Sequence, residues 1–80
     1  MALKHDDDYY YNVVRENIRK YRKAKGYTQQ KLSEEAQMSM DYLAEIESEK
    51  RKKGFSIATL GRISEVLDVD INEFFKEEKK

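Results

Sequence analysis

Apolar residues recur along this chain at three- and four-residue intervals rather than at alternate positions, the rhythm of helices with one buried stripe. Val14, Ile18 and Tyr21 share one face of a first helix, predicted to start near Asp8 as its N-cap and to run to about Lys25. Gly26 then lets the chain leave in a left-handed conformation. Thr28 is placed to cap a second helix, whose inward residues are Leu32 and Ala36. Gln37, Met38 and Ser39 make a three-residue break, and Ser39 caps a third helix that turns Leu43 and Ile46 inward. Gly54 reads as the hinge before Ser56, the cap of a fourth helix with the stripe Ile57, Leu60, Ile63, Ser64 and Leu67. The stretch DINEFF offers Asp70 with Glu73 three places later, a capping-box-like start to a short fifth helix. Proline is absent, glycines number three, and no run alternates like a strand. The expectation is all-α: a compact five-helix bundle, with residues 1–8 as a flexible tail and residues 9–80 as the domain.

Composition narrows the function. Eighty residues make one domain, with a core that supplies only roughly 3–5 kcal/mol of net stability, so a partner subunit would help. The absence of cysteine removes disulfides, thiol catalysis and thiolate metal sites together. A lone His5 cannot make a metal cluster, and no nucleophile–base pair or glycine-rich phosphate loop is present. The chain is therefore expected to be no enzyme and to need no cofactor or metal. It contains neither a membrane-length apolar run nor a signal-peptide pattern, which predicts a cytoplasmic protein with no membrane partner.

Charged residues are 40% of the chain and cancel, 16 against 16, but unevenly. Residues 12–25 hold Arg15, Arg19, Lys20, Arg22, Lys23 and Lys25 against Glu16 alone. Residues 34–49 hold six acids and no base, and Lys50, Arg51, Lys52 and Lys53 follow without interruption. Such asymmetry points to a charged partner more strongly than the near-neutral total does.

The ordered set Ile18, Arg19, Arg22, Gly26, Thr28, Gln29, Leu32 and Ser33 resembles the phage-repressor and Xre type of helix-turn-helix regulator. Ala36, Met38, Ser39, Tyr42, Leu43, Ile46 and Glu47 echo that family's turn and following helix. Thr59, Leu60, Ile63, Leu67, Val69, Glu73, Phe74 and Phe75 echo its ending, so the likeness covers about residues 13–75. The resemblance implies a lambda-repressor-like fold that binds double-stranded DNA as a dimer. Its second helix would cross the phosphate backbone, and its third, at about residues 40–48, would enter the major groove.

Met40, Asp41 and Glu45 are the base-contact candidates that the resemblance implies, with Tyr42 on the flank and Ser39 at the helix start touching backbone. Asp41 and Glu45, four apart, project together. A carboxylate accepts from the amine of cytosine and repels most other surroundings in the groove, so these acids make either a strict reader or merely a solvated face. Gln29 sits at a helix start, where free amides favour anions, and is a backbone-contact candidate. Lys50, Arg51, Lys52 and Lys53 complete that set, each able to displace counterions from a phosphate. Arg19, Lys20 and Lys23 offer a second basic surface. The resemblance also implies a structural pair between Arg22 and Glu47. Gln37 and Glu49 stand where the family usually has glycine, and a side chain forced left-handed at the turn costs about 1–2 kcal/mol.

Two clusters remain unassigned between core and dimer contact: Tyr9, Tyr10 and Tyr11, and Ile71, Phe74 and Phe75. The leading expectation is a sequence-specific DNA-binding transcriptional regulator, a homodimeric repressor or autoregulator controlled by its own level or by a protein partner. The alternative is a protein-interaction module, antitoxin-like, that offers its acidic third helix to a basic protein.

Overall fold

The computed structural model describes residues 2–50 and 54–77. Four α-helices follow one another: α1 (Asp7–Ala24), α2 (Gln29–Glu35), α3 (Met40–Glu47) and α4 (Ile57–Leu67). The fifth element is a 3-10 helix, Ile71–Phe75, so the expected fifth α-helix is one tighter turn. No strand occurs among the described residues. The all-α architecture stands, with four α-helices rather than five.

The helix starts follow local chemistry. Thr28, Ser39 and Ser56 each turn an oxygen onto the free amide three residues on, at 3.0, 3.0 and 3.1 Å. The first cap is Asp6 rather than Asp8: its carboxylate accepts from the Tyr9 amide at 3.1 Å. Asp7 and Asp8 then lie in the first turn, where the helix dipole favours acids, so α1 begins inside the segment expected to be tail. Asp70 caps the 3-10 turn through the Asn72 amide at 2.9 Å. Glu73 does not close a capping box; its carboxylate accepts from the Tyr21 hydroxyl at 3.0 Å and pairs with Lys76.

Helix ends are equally explicit. At α1 the Tyr27 amide reaches back to Arg22 and the Gly26 amide to Lys23, with Gly26 at φ +78°. At α2 the Met38 amide reaches Ser33 and the Gln37 amide Glu34, with Gln37 at φ +58°. Both are the same left-handed terminator, built once on glycine and once on glutamine. Asp68 at φ +57° ends α4 in the same way. Glu49 is not among the positive-φ residues, so the second missing family glycine carries no such strain.

Val14, Ile18, Leu32, Ala36, Leu43, Ile46, Leu60, Ile63, Leu67 and Phe74 form one core. Ile57 is not part of it. It opens α4 beyond the edge of the core and is 78% exposed, although its spacing puts it in register with Leu60. Phe74 is fully buried, and Asn17 fastens the turn that carries it by donating to the Phe74 and Lys76 carbonyls, each at 2.8 Å. The tyrosine cluster divides three ways. Tyr9 stacks on His5, Tyr10 is largely exposed, and Tyr11 lies edge-on to Phe55. Tyr11 also fixes Gly54, because a Cβ there would sit 2.8 Å from the Tyr11 hydroxyl oxygen. Close approach, rather than hinge freedom, accounts for that glycine.

Candidate nucleic-acid interface

Helix α3 is eight residues long and too short to stand alone, so its orientation is set by what holds its ends. Ser39 secures the amino end. The carboxyl end has no basic residue of its own in its last turn. Three arginines of α1, spaced four and three apart, supply the cations instead. Arg15 donates to the Ile46 carbonyl at 3.2 Å, and Arg19 donates to the Glu47 carbonyl at 2.7 Å. Arg22 grips the Glu47 carboxylate with two parallel bonds of 2.7 and 2.9 Å. Guanidinium groups placed on the last carbonyls complement the negative end of the helix dipole. The Arg22–Glu47 pair is 8% and 5% exposed, which makes it a buried, bidentate strut between α1 and α3.

Leu43, Ile46 and Glu47 face inward, while Met40 and Asp41 are exposed and Glu45 is half-buried. A shallow hollow of about 400 Å³ on the outer side of α3 is lined by Asp41, Ala44, Glu45 and Ser48. The two carboxylates, four residues apart, therefore share one face, with Ala44 and Ser48 beside them. Asp41 and Glu45 thus lie together, while Met40 is exposed at the start of α3 and does not line their hollow.

The backbone-contact candidates are more scattered. Gln29 opens α2, half-buried, and its amide donates to Glu47 at 3.1 Å. It thereby joins the Arg22–Glu47 strut and links the start of α2 to the end of α3. The Ser39 oxygen is the α3 cap, on an exposed residue. Tyr42 packs its ring against the core, and its hydroxyl lies 3.5 Å from that of Thr59. Lys50 is exposed; Arg51, Lys52 and Lys53 lie outside the described residues. Arg19, Lys20 and Lys23 do share a face of α1, around a shallow depression that Glu16 and Asn17 also line.

Two site features were missed in the sequence. Arg15, counted there within a basic stretch, is 1% exposed, and Asn17 is a buried fastener. Arg15 has one local signal: it lies one residue after Val14 and three before Ile18, at the edge of the apolar stripe.

Among charged groups on the outer surface, the Glu35 carboxyl is held below its ordinary range, chiefly by its hydrogen bond from Lys31 and also by the Tyr27 hydroxyl. Lys31 is raised in turn, chiefly by Glu35. That acid is thus engaged by Lys31 within α2 and by Tyr27 just before it. Among the described residues no cluster of acids or histidines could hold a metal, and no helix is long and apolar enough to cross a membrane.

A family model described as helix-turn-helix matches residues 18–74. The HTH-type transcriptional regulator SinR of Bacillus licheniformis is 35% identical over 65 residues, which span 81% of this chain and 58% of that protein. The N-terminal DNA-binding domain of SinR from Bacillus subtilis superposes with a TM-score of 0.75 at 33% identity, covering 86% of this chain and 99% of that one. A structure of SinR, a master regulator for biofilm formation, in complex with DNA gives a TM-score of 0.72 at 35% identity and covers 79% and 98%. This chain spans less than two thirds of the length of the curated relatives it matches.

Proposed function

The chain belongs to the helix-turn-helix family, and from that premise we propose that it is a sequence-specific double-stranded DNA-binding transcriptional regulator that works as a homodimeric repressor or autoregulator. The observation that carries the reading is the presentation of α3. Its ends are pinned by Ser39 and by the arginines of α1, and it exposes Met40 and Asp41, with Glu45 half-buried beside Asp41. A short, rigidly held helix with a solvent-facing row of side chains suits insertion into a major groove, whose width admits one helix.

In that role Asp41 and Glu45 accept from cytosine amines, and Met40 touches a thymine methyl. Ser39 and Lys50 contact phosphates, Gln29 does so through the amide hydrogen not given to Glu47, and the sequence run Arg51, Lys52 and Lys53 adds charge. Acids in the groove weaken affinity but sharpen choice, because a carboxylate opposite the wrong base edge is both unpaired and repelled. Selection of duplexes from a random pool at moderate salt tests the reading. An inverted repeat with cytosine at matching places in both halves supports it. A pool that returns unenriched refutes it, and the acidic hollow of α3 then becomes a surface for a basic protein.

A further inference from the structure

The outer face of α1 carries two lysines that belong neither to the core nor to the hold on α3. Lys20 and Lys23 are exposed there, and Arg19 is half-buried beside them. The three line a shallow depression of about 340 Å³, whose walls Glu16 and Asn17 complete. Cations outnumber the one acid of this lining three to one, in a chain whose total charge is zero.

The place of this face in the fold gives it a role. Arg19 donates to the Glu47 carbonyl at 2.7 Å, and Gln29, at the start of α2, donates to the Glu47 carboxylate at 3.1 Å. The face of α1 and the start of α2 therefore meet at one residue, the last of α3. In a helix-turn-helix unit the first helix of the pair crosses the phosphate backbone beside the groove that the second enters. Arg19 thus ties the face of α1 to the junction of those two helices. Lys23 lies one turn further along α1, on the same side as Arg19.

We infer that Lys20 and Lys23 form a second phosphate-binding site, which holds the duplex backbone outside the groove that α3 reads. This site rests on the DNA-binding reading for the presence of a duplex, not for any choice of sequence. The chemistry of the face favours a phosphate backbone over an acidic protein segment. All five lining residues are polar, so the depression has no apolar anchor of the kind around which a protein interface is built. Lysine ammoniums are point charges with rotatable donors on flexible stems, suited to phosphate oxygens presented at any angle and independent of the base beside them. The Glu16 carboxylate opposes a phosphate here and limits the strength of the site.

Each lysine that neutralises a phosphate steepens the logarithmic salt dependence by about 0.9, so the pair accounts for about 1.8. The test uses the full chain and a duplex of random sequence, with affinity measured from about 50 to 200 mM salt. Combining Lys20→Ala with Lys23→Ala is expected to lower the slope by about 1.8, and each single variant by about half of that. Their melting temperatures should match the native one, because both side chains are exposed. Glu16→Gln is expected to tighten binding, most at low salt. Arg62→Ala removes an exposed cation of α4 and should leave the slope as it is. A double variant with the native slope overturns the inference and leaves the face to an acidic protein or to solvent. An equal fall with Arg62→Ala also overturns it, since overall charge would then be the cause. A protein that grips random duplex through Lys20 and Lys23 but enriches no sequence from a pool keeps this site and loses the sequence-specific reading. A protein that binds no duplex at any salt loses both.

Discussion

Replacing Glu47 by alanine probes what holds α3 in place. The substitution leaves the Arg22 guanidinium, 8% exposed, with its bond to the Tyr27 carbonyl at 2.9 Å and nothing to balance its charge. Removing one partner of a buried ion pair costs about 3–5 kcal/mol, mostly the penalty of the stranded charge. Gln29 also loses its acceptor, but it is half-exposed and water can replace that bond, so it adds little. Arg19 holds the Glu47 backbone carbonyl and is untouched by the change. A domain of this size has only roughly 3–5 kcal/mol to lose, so Glu47→Ala should be largely unfolded at 25 °C. Arg22→Met should cost a similar amount, by stranding the carboxylate. Arg22→Met combined with Glu47→Leu strands neither charge and should recover most of the loss, to within about 1–2 kcal/mol of native, since hydrophobic replacement of a buried pair is often neutral or better. Urea unfolding followed by helical circular dichroism of the native, two single and one double variant yields the coupling energy directly. Single variants that each cost under about 1 kcal/mol would refute the buried strut, as would a double variant no better than the sum of its parts.

Other outcomes follow from single features. Gln37→Gly should raise stability by about 0.5–1 kcal/mol in thermal melts, because relief of about 1–2 kcal/mol of left-handed strain at φ +58° exceeds the added chain entropy; an unchanged or lowered midpoint would contradict the strained turn. Phe74→Ala should cost about 3–5 kcal/mol by leaving a cavity under the 3-10 turn, against almost nothing for Phe75→Ala, and equal costs would contradict their burial and exposure. The Glu73 carboxyl is lowered, chiefly by Lys76 and then by the Tyr21 hydroxyl, so its stabilising contribution is present above the ordinary carboxylate range and fades as pH falls through the lowered value. Tyr21 is raised, chiefly by Glu73, so its contribution is present below the ordinary phenol range and is lost as pH rises through the raised value. Melting midpoints of native and Glu73→Gln protein should therefore differ most between those two ranges and converge at both extremes; a constant difference across pH would exclude the pair as the cause. Asp41→Ala should relax the preference for cytosine at one position of each half-site by about 1–3 kcal/mol in competition binding, and an unchanged preference would leave Asp41 a solvated acid.

The helix caps were legible because they are local. Thr28, Ser39, Ser56 and Asp70 each act on an amide two or three residues away, so their neighbours in sequence carry the whole interaction. Asp8 was misjudged as the cap because three consecutive aspartates compete, and the winner depends on where the helix can begin packing. Ile57 was misjudged for a related reason. Periodicity identifies a face but not how far along it the core extends, and α4 starts three residues before Leu60, the first apolar residue of its stripe that the core covers. The Arg22–Glu47 strut was anticipated through the family's pattern. Arg15 was not: its place at the edge of the apolar stripe hints at burial, but its partner, the Ile46 carbonyl, is thirty-one residues away.

That last miss changes how the charge of the chain is understood. The basic stretch of residues 12–25 counts six cations, a large apparent grip for a polyanion. In the fold, Arg15 and Arg22 are buried, Arg19 is spent on a carbonyl at the end of α3, and the Lys25 ammonium lies 2.9 Å from the Val66 carbonyl. Three arginines of the stretch hold the end of α3. In the proposed function, the hold on phosphate then falls more to exposed lysines such as Lys23 and Lys50 and to the basic run that follows Lys50 in sequence. Each of these that neutralises a phosphate steepens the salt dependence by about 0.9 in the logarithmic slope, whereas the buried arginines contribute nothing to it. In the proposed function, stability and DNA affinity therefore depend on different cations of what looks, in the sequence, like one basic surface. Arg15→Met should impair folding and leave the salt slope of the surviving folded protein unchanged. Lys50→Ala should leave the melting temperature unchanged and flatten the slope. If Lys50→Ala alters neither quantity, its charge faces solvent alone and the grip lies on α1.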